Sequence, residues 1–420
     1  MQNFKDLEAL GIVQAKHPKD LDLDSGNYTF YAGFDPTSDS LHVGSLFLLI
    51  TMKKLADLGH TPIAVVGGAT GMIGDPSGKS AERNLLGEKE IHNNVNGMTG
   101  QIQKFFSNQA NVKVLNNLDW IGRFSLIPFL RDVGKSFRVT EMLAKDSVQS
   151  RLESEEGISF TEFTYQILQA YDFLYLYEQH GCRLQVGGSD QWGNISAGIT
   201  LVRKHAGGEA CGLTFPLIES APGQKFGKSE GRNVWLDPQK TSPYEFYQFW
   251  IQTTDDMVIS YLGYFTNLSP AEISSYQEAV DSRPEEREAQ KKLAYEVTRL
   301  VHGDEEVEKS IKASEVLFGG SPEGLGDRDL MNIFANVPSR TYRRELLKEG
   351  SLALVQVLCE TDLCKSKGQA RNLIKQGGVY LNNERVDDEA HILTGRDLAS
   401  ESILILRAGK RKYGLLSFTE

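Results

Sequence analysis

Over the first ~220 residues, short apolar runs alternate with helix-length amphipathic patterns. That alternation points to an open, mostly parallel α/β sheet with helices packed on it. The candidate strands are 28–34, 62–67, 112–115 and 183–186, and several end in Gly or small residues. In sheets of this kind ligands bind beyond the carboxyl ends of the strands. The strand signals stop near 240. Ser242-Pro243-Tyr244-Glu245 and Ser269-Pro270-Ala271-Glu272 each put Ser at the N-cap, Pro at the first helical position and Glu at the third, so 240–318 reads as helical. Gly319-Gly320-Ser321-Pro322-Glu323-Gly324 reads as a linker. After ~345 comes a small α/β unit, with a helical pattern carrying Lys365, Lys367, Arg371 and Lys375 and then hairpin-like runs at 379–386 and 403–418. A chain of 420 residues is too long for one ordinary core, and the expected division is 1–225, 226–320, a linker 321–345, and 346–420.

Hydrophobic residues are 40% and charged residues 24%, as in an average globular protein. No apolar run approaches the ~20 residues that span a bilayer, and the start Met1-Gln2-Asn3-Phe4-Lys5-Asp6 has no signal-peptide pattern, so the expected location is cytoplasmic. Cys182, Cys211, Cys359 and Cys364 have neither zinc-ligand nor disulfide spacing and read as buried thiols. A net charge of −11 argues against nonspecific nucleic-acid binding. The segment 365–412 is locally basic, however, as a phosphate-binding face or a solvated helix face would be.

Tyr31-Ala32-Gly33-Phe34-Asp35-Pro36-Thr37 leads into Leu41-His42-Val43-Gly44-Ser45, after a strand and before an apolar helix. Gly33 lets backbone approach a ligand, and Thr37 and His42 can donate near a helix N-terminus, which favours anions. A second string, Lys225-Phe226-Gly227-Lys228-Ser229, lies between Gly223 and Gly231 and could engage a triphosphate. Gly74-Asp75-Pro76-Ser77-Gly78-Lys79-Ser80 imitates a P-loop but is one residue short between its glycines. On the expected helix after the capping box Ser159-Phe160-Thr161-Glu162, Tyr165, Gln169 and Asp172 share one face. Polar groups on an otherwise apolar helix need partners, so this stripe is either an internal network or the wall of a wet cavity. Gln185-Val186-Gly187-Gly188-Ser189-Asp190-Gln191 reads as strand, glycine turn and helix start.

The first string resembles the His-Ile-Gly-His signature of class I aminoacyl-tRNA synthetases, and its lead-in Gly-Phe-Asp-Pro-Thr resembles the tyrosyl branch. Ser45 stands where the second signature His would be. The second string resembles the Lys-Met-Ser-Lys-Ser loop of the same enzymes. Ser366-Lys367-Gly368-Gln369-Ala370-Arg371 with Gly377-Gly378-Val379-Tyr380 resembles an S4-type RNA-binding module. The resemblance to bacterial-type tyrosyl-tRNA synthetases covers essentially the whole chain. It implies a Rossmann-like catalytic domain, a helical anticodon-side domain and an S4-like tail, assembled as a homodimer with ~120–155 near the two-fold.

The implied activity is tyrosine activation by ATP, accompanied by Mg²⁺, followed by transfer to tRNA. The resemblance implies that Asp75, Tyr165 and Gln169 hold the substrate ammonium, that Tyr31 and Asp172 bind its phenol hydroxyl, and that Gln191 lies by its carboxyl group. A pocket built around the hydroxyl rejects phenylalanine, because buried partners would be left unpaired. On ATP it implies Gly33, Asp35, His42, Ser45, Gly188, Asp190, Leu217, Ile218, Lys225 and Lys228, with no dedicated metal site. Thr37, His42, Lys228 and Ser229 are the catalytic candidates, with Lys79 and Arg83 beside them. Lys365, Lys367, Arg371, Lys375, Lys410, Arg411 and Lys412 are expected on RNA. The nearest alternatives are a tryptophanyl synthetase, a nucleotidyltransferase with a similar His-containing turn, and an RNA-binding protein descended from a synthetase.

Overall fold

The structure is a computed structural model that describes residues 3–77, 86–109, 111–154, 157–221, 224–229, 232–317, 319–335, 337–409 and 412–419; of these, 219–221, 224, 225, 228, 229 and 232 are described by backbone alone. Its main sheet has six strands, β1 Ala15–His17, β2 Thr29–Phe34, β3 Thr61–Val66, β4 Lys113–Asn116, β5 Cys182–Gly188 and β6 Cys211–Phe215. They lie in the order β1-β6-β5-β2-β3-β4. All neighbours pair in parallel except β1, which runs antiparallel to β6 at the edge. The four expected strands are present, and β1 and β6 were not foreseen. The sheet grows outward in both directions from the adjacent pair β2 and β5, which makes the carboxyl ends of those two strands the crevice where such sheets bind ligands.

β2 and β3 are buried along nearly their whole length, Phe30, Ala32, Ile63, Ala64 and Val66 completely, as a parallel strand covered on both faces must be. The helix Val43–Asp57 follows β2 and buries Leu46, Leu49, Met52 and Leu55. The helix Phe160–His180 starts at Ser159, whose hydroxyl accepts from the Glu162 amide, and stops at Gly181 in the left-handed conformation. Both predicted Ser-Pro-x-Glu starts form reciprocal capping boxes, at the helices Pro243–Ile251 and Pro270–Ser282.

The chain forms two compact units, which divide it differently from the expectation. One contains 1–240 and 253–293, the other 241–252 and 294–420. The helices Asp255–Phe265 and Pro270–Ser282 therefore belong with the sheet unit, while the helix Asp304–Leu317 belongs with the tail. The segment expected as a linker, 321–345, carries the helix Asp327–Ile333 and the strand Ser339–Arg343, which pairs in parallel with Lys412–Thr419 of the tail sheet. Val316, Leu330, Phe334, Ile403, Ile405 and Leu415 form one apolar cluster. Gly and Pro at 319–324 mark a turn within that unit, whose apolar partners on both sides are too far apart in sequence for local pattern to reveal. The two tail hairpins are as expected. The first turns at Asn382 and Asn383, both with positive φ, the backbone that closes a two-residue hairpin.

Candidate active site

A cavity of about 360 Å³ opens at the carboxyl ends of β2 and β5. β2 brings Tyr31, Gly33 and, just beyond it, Asp35; β5 brings Gln185, Gly187 and Gly188. The helix Phe160–His180 contributes Tyr165, Gln169 and Asp172, the shared face that the sequence spacing indicated. Asp75, Asp190, Gln191, Thr37, Ser45, Leu217 and Ile218, also expected at the site, line the wall, whereas His42 is not among its lining residues. The polar stripe is thus both an internal network and a cavity wall.

Asp172 is 3% exposed and accepts two hydrogen bonds. It accepts from the Trp120 indole N–H at 2.7 Å and from the Asn117 amide at 3.1 Å. Burial pushes its pKa up to about 7 against those two donors. The Tyr31 phenol is raised well above its ordinary range, first by burial and then by the Asp172 charge, so it stays protonated and can donate. A protonated phenol and a carboxylate supply the donor and acceptor that a second phenol needs.

Asp75 accepts from the Ser77 amide at 2.9 Å and from the Gln191 side chain at 2.8 Å. Gln191 in turn accepts from Gln169 at 3.2 Å, and Gln169 accepts from Asn194 at 3.0 Å. Tyr165 donates to Asp35 at 2.8 Å, and Thr70 donates to the other Asp35 oxygen at 2.8 Å. These bonds join Asp75, Gln191, Gln169 and Asn194 in one chain and tie Tyr165 and Thr70 to Asp35. Among the described lining residues there are four carboxylates, Asp35, Asp75, Asp172 and Asp190, and no Lys or Arg. Burial, then the Asp75 charge, raises the Asp190 pKa. Such a cavity attracts a cationic group and needs cations from elsewhere to receive a polyphosphate.

At Gly188 an added Cβ would lie 2.6 Å from the Asp190 carboxylate and 3.2 Å from the end of Leu217, so a larger residue would displace these two side chains. At Gly33 an added Cβ would meet nothing within 4 Å, which leaves open space over that strand end. His42 is the N-cap of Val43–Asp57, and its Nδ1 accepts from the Gly44 amide at 2.9 Å. It sits at the helix end that favours anions. The second string lies beside it: Gly227 accepts from the Val234 amide, and Val234 accepts from the Val43 amide. The side chains of Lys225, Lys228 and Ser229, and all of Lys79 and Arg83, lie outside the described residues.

Asn117, Trp120, Thr70 and Asn194 were not foreseen. The available signal was position: Asn117 and Trp120 follow the carboxyl end of β4, as the expected ligand residues follow β2 and β5. On the tail, Lys365 and the helix residues Lys367, Arg371 and Lys375 are exposed, as is Lys412; Lys375 pairs with Glu389 at 3.2 Å, and Lys410 and Arg411 lie outside the described residues.

A family described as tRNA synthetases class I (W and Y) matches residues 24–319, and one described as Tyrosine--tRNA ligase SYY-like C-terminal domain matches 329–416. The tyrosine--tRNA ligase of Bacillus velezensis is 49% identical over 423 aligned residues, covering 99% of this chain and 99% of that protein. That of Rhodopirellula baltica is 49% identical over 400, covering 95% and 91%. Among solved structures, a C-terminally truncated Aspergillus nidulans mitochondrial tyrosyl-tRNA synthetase superposes with TM-score 0.66 at 31% identity, covering 74% of this chain and 93% of that one. A Plasmodium falciparum tryptophanyl-tRNA synthetase, at TM-score 0.52 and 13% identity over 78% of this chain and 86% of its own, shares the fold alone.

Proposed function

This chain belongs to the class I tRNA synthetases of the tryptophan and tyrosine family and ligates tyrosine to tRNA, and we propose that it does so in two steps through an enzyme-bound tyrosyl-adenylate. The observation that carries the site assignment is the pairing of a buried phenol, Tyr31, with a buried carboxylate, Asp172, in a cavity that otherwise collects carboxylates. Tyrosine enters phenol first, its hydroxyl between Tyr31 and Asp172. Its ammonium lies by Asp75, Tyr165 and Gln169, and its carboxylate by Gln191. Asp190 accepts from the ribose of ATP, Gly188 gives the nucleotide room, and Leu217 and Ile218 flank adenine. Gly33, Asp35 and Ser45 face the phosphate side.

The tyrosine carboxylate is ionised at neutral pH and attacks the α-phosphorus directly. The protein's part is then positioning and stabilising charge on the leaving pyrophosphate. Thr37 and His42 act from the helix N-terminus, and Lys225, Lys228 and Ser229 from the second string. Among the described residues no three His, Cys, Asp or Glu side chains are grouped to hold a metal ion. Mg²⁺ would come with the triphosphate, whose own oxygens would be among its ligands.

The proposed functional regions are 1–225 for catalysis, 226–320 for the signature loop and anticodon side, and 346–420 for RNA binding through Lys365, Lys367, Arg371, Lys375, Lys410, Arg411 and Lys412. An exposed apolar set, Leu126, Ile127, Leu130, Val139, Leu152 and Phe160, supports a homodimer formed around ~120–155. Among the described residues no helix is long and apolar enough to cross a membrane, and the proposed location is the cytoplasm.

Mixing the protein with tyrosine and ATP, without tRNA, tests the route. Tyrosyl-adenylate should accumulate on the protein, and added tRNA should take up the tyrosyl group after free ATP has been removed. Transfer that still requires ATP at that stage would show that the route does not pass through a bound adenylate.

A further inference from the structure

Lys54 is 2% exposed on the inner face of the helix Val43–Asp57. Among the described residues it has no carboxylate partner. Its ammonium donates to two backbone carbonyls, Gly263 at 2.6 Å and Tyr264 at 3.2 Å. Those carbonyls belong to the last turn of the helix Asp255–Phe265, where no later helical amide is available to them. A buried cation without a counter-charge is expensive, and an apolar residue of similar length would fill the space at lower cost. The donors, directed at the negative end of a helix, are what the site gains. Burial lowers the Lys54 pKa to about 7, but the amine has N–H donors in either protonation state, so the bridge survives its titration.

The turn that Lys54 holds is the seat of the second motif. Phe226, between Lys225 and Gly227, stacks on Phe265 at 5.5 Å and meets Tyr261 edge-on at 5.4 Å. Phe47, two helical turns before Lys54 on the same helix, packs its ring against Tyr264 and Phe265, with centroids at 5.2 and 5.8 Å. The first motif stands at the start of this helix, Lys54 stands near its end, and the helix Asp255–Phe265 bridges from Lys54 to Phe226.

We propose that Lys54 is a positioning residue for tyrosine activation: by fastening the last turn of Asp255–Phe265 to the first-motif helix, it sets the aromatic seat from which Phe226 presents Lys225, Lys228 and Ser229 to the triphosphate. The inference rests on the reading of the second motif as catalytic. Lys54 does not line the cavity, so its effect appears in the activation rate and not in tyrosine affinity.

The test uses the full chain carrying Lys54→Met, Phe226→Leu, both together, or Lys228→Ala. Tyrosine Kd is measured at equilibrium, active sites are counted by the adenylate burst, and the single-turnover activation rate is expressed per counted site. Lys54→Met should bind tyrosine within about twofold of the unaltered protein and activate it at least about tenfold more slowly per site. The double variant should be no more than about twofold slower than the slower single one, because both changes act on one seat. An unchanged rate per site in Lys54→Met, or rate losses that multiply in the double variant, overturns the proposal. If Lys54→Met does not bind tyrosine, Lys54→Gln, a donor too short to reach both carbonyls, takes its place with the same two outcomes. A slow Lys228→Ala beside a normal Lys54 variant refutes only the role of Lys54. A normal Lys228→Ala refutes the catalytic reading of the second motif itself.

Discussion

Burial and function pull on Asp172 in opposite directions. In the proposed site it accepts, when ionised, from the substrate phenol; buried, it resists ionising, and its pKa stands at about 7. Tyrosine affinity should therefore be highest above pH 8 and fall as the pH drops through about 7, while affinity for an analogue lacking the hydroxyl should not follow that curve. The Trp120 N–H stabilises the ionised form. Trp120→Phe should move the midpoint upward and weaken tyrosine binding near neutrality by about 1.5–3 kcal/mol, the cost of a lost bond to a charged group. Titration of tyrosine binding between pH 6 and 9 in both proteins decides this, and a midpoint that stays put or falls in Trp120→Phe contradicts it. The stability sign follows from the same raised pKa. The folded state holds the proton more tightly than the unfolded one, so this stabilisation is complete below the ordinary carboxylate pKa and is lost as pH rises through about 7.

Among elements, those whose sequence pattern is local were legible. Ser242 and Ser269 announced their helices through side chains three residues apart, and Tyr165, Gln169 and Asp172 showed their common face through helical spacing. The strands β2 to β5 stood out as apolar runs, whereas β1, with the three residues Ala15–His17, is too short and too exposed to register. Asn117 and Trp120 escaped because their role depends on the order of β2, β3 and β4 in space, which no local pattern encodes. The second-motif loop stood out in the sequence by its string alone. Lys228→Ala should slow adenylate formation by about 3 kcal/mol, roughly a hundredfold, while leaving tyrosine Kd nearly unchanged, because in the proposed mechanism its charge acts on the leaving pyrophosphate. Single-turnover kinetics at saturating tyrosine would show it; a weakened tyrosine Kd with an unchanged rate would place Lys228 on the wrong substrate.

For the molecule, the division into units changes how the tail can be tested. Val316 and Leu330 share a core with Ile403, Ile405 and Leu415, so a cut near 320 would open an apolar cluster as well as remove the tail. Charge reversal on the exposed face of Lys367–Lys375 leaves that core intact. Lys367→Glu with Arg371→Glu should weaken tRNA binding and charging tenfold or more at low salt and flatten the salt dependence of binding, because fewer counterions are released. Activation, which takes place in the other unit, should stay within about twofold. An unaltered salt slope would remove this face from the RNA contact.

Activation of tyrosine, chosen by its hydroxyl, is the claim on which every other assignment depends. Amino-acid-dependent exchange between ATP and pyrophosphate, run with each of the twenty amino acids, tests it most directly. The pocket of Tyr31 and Asp172 predicts rapid exchange with tyrosine, and with phenylalanine and tryptophan only a trace, since neither can satisfy those two groups. Strong exchange with phenylalanine or tryptophan, or none with tyrosine, would contradict it.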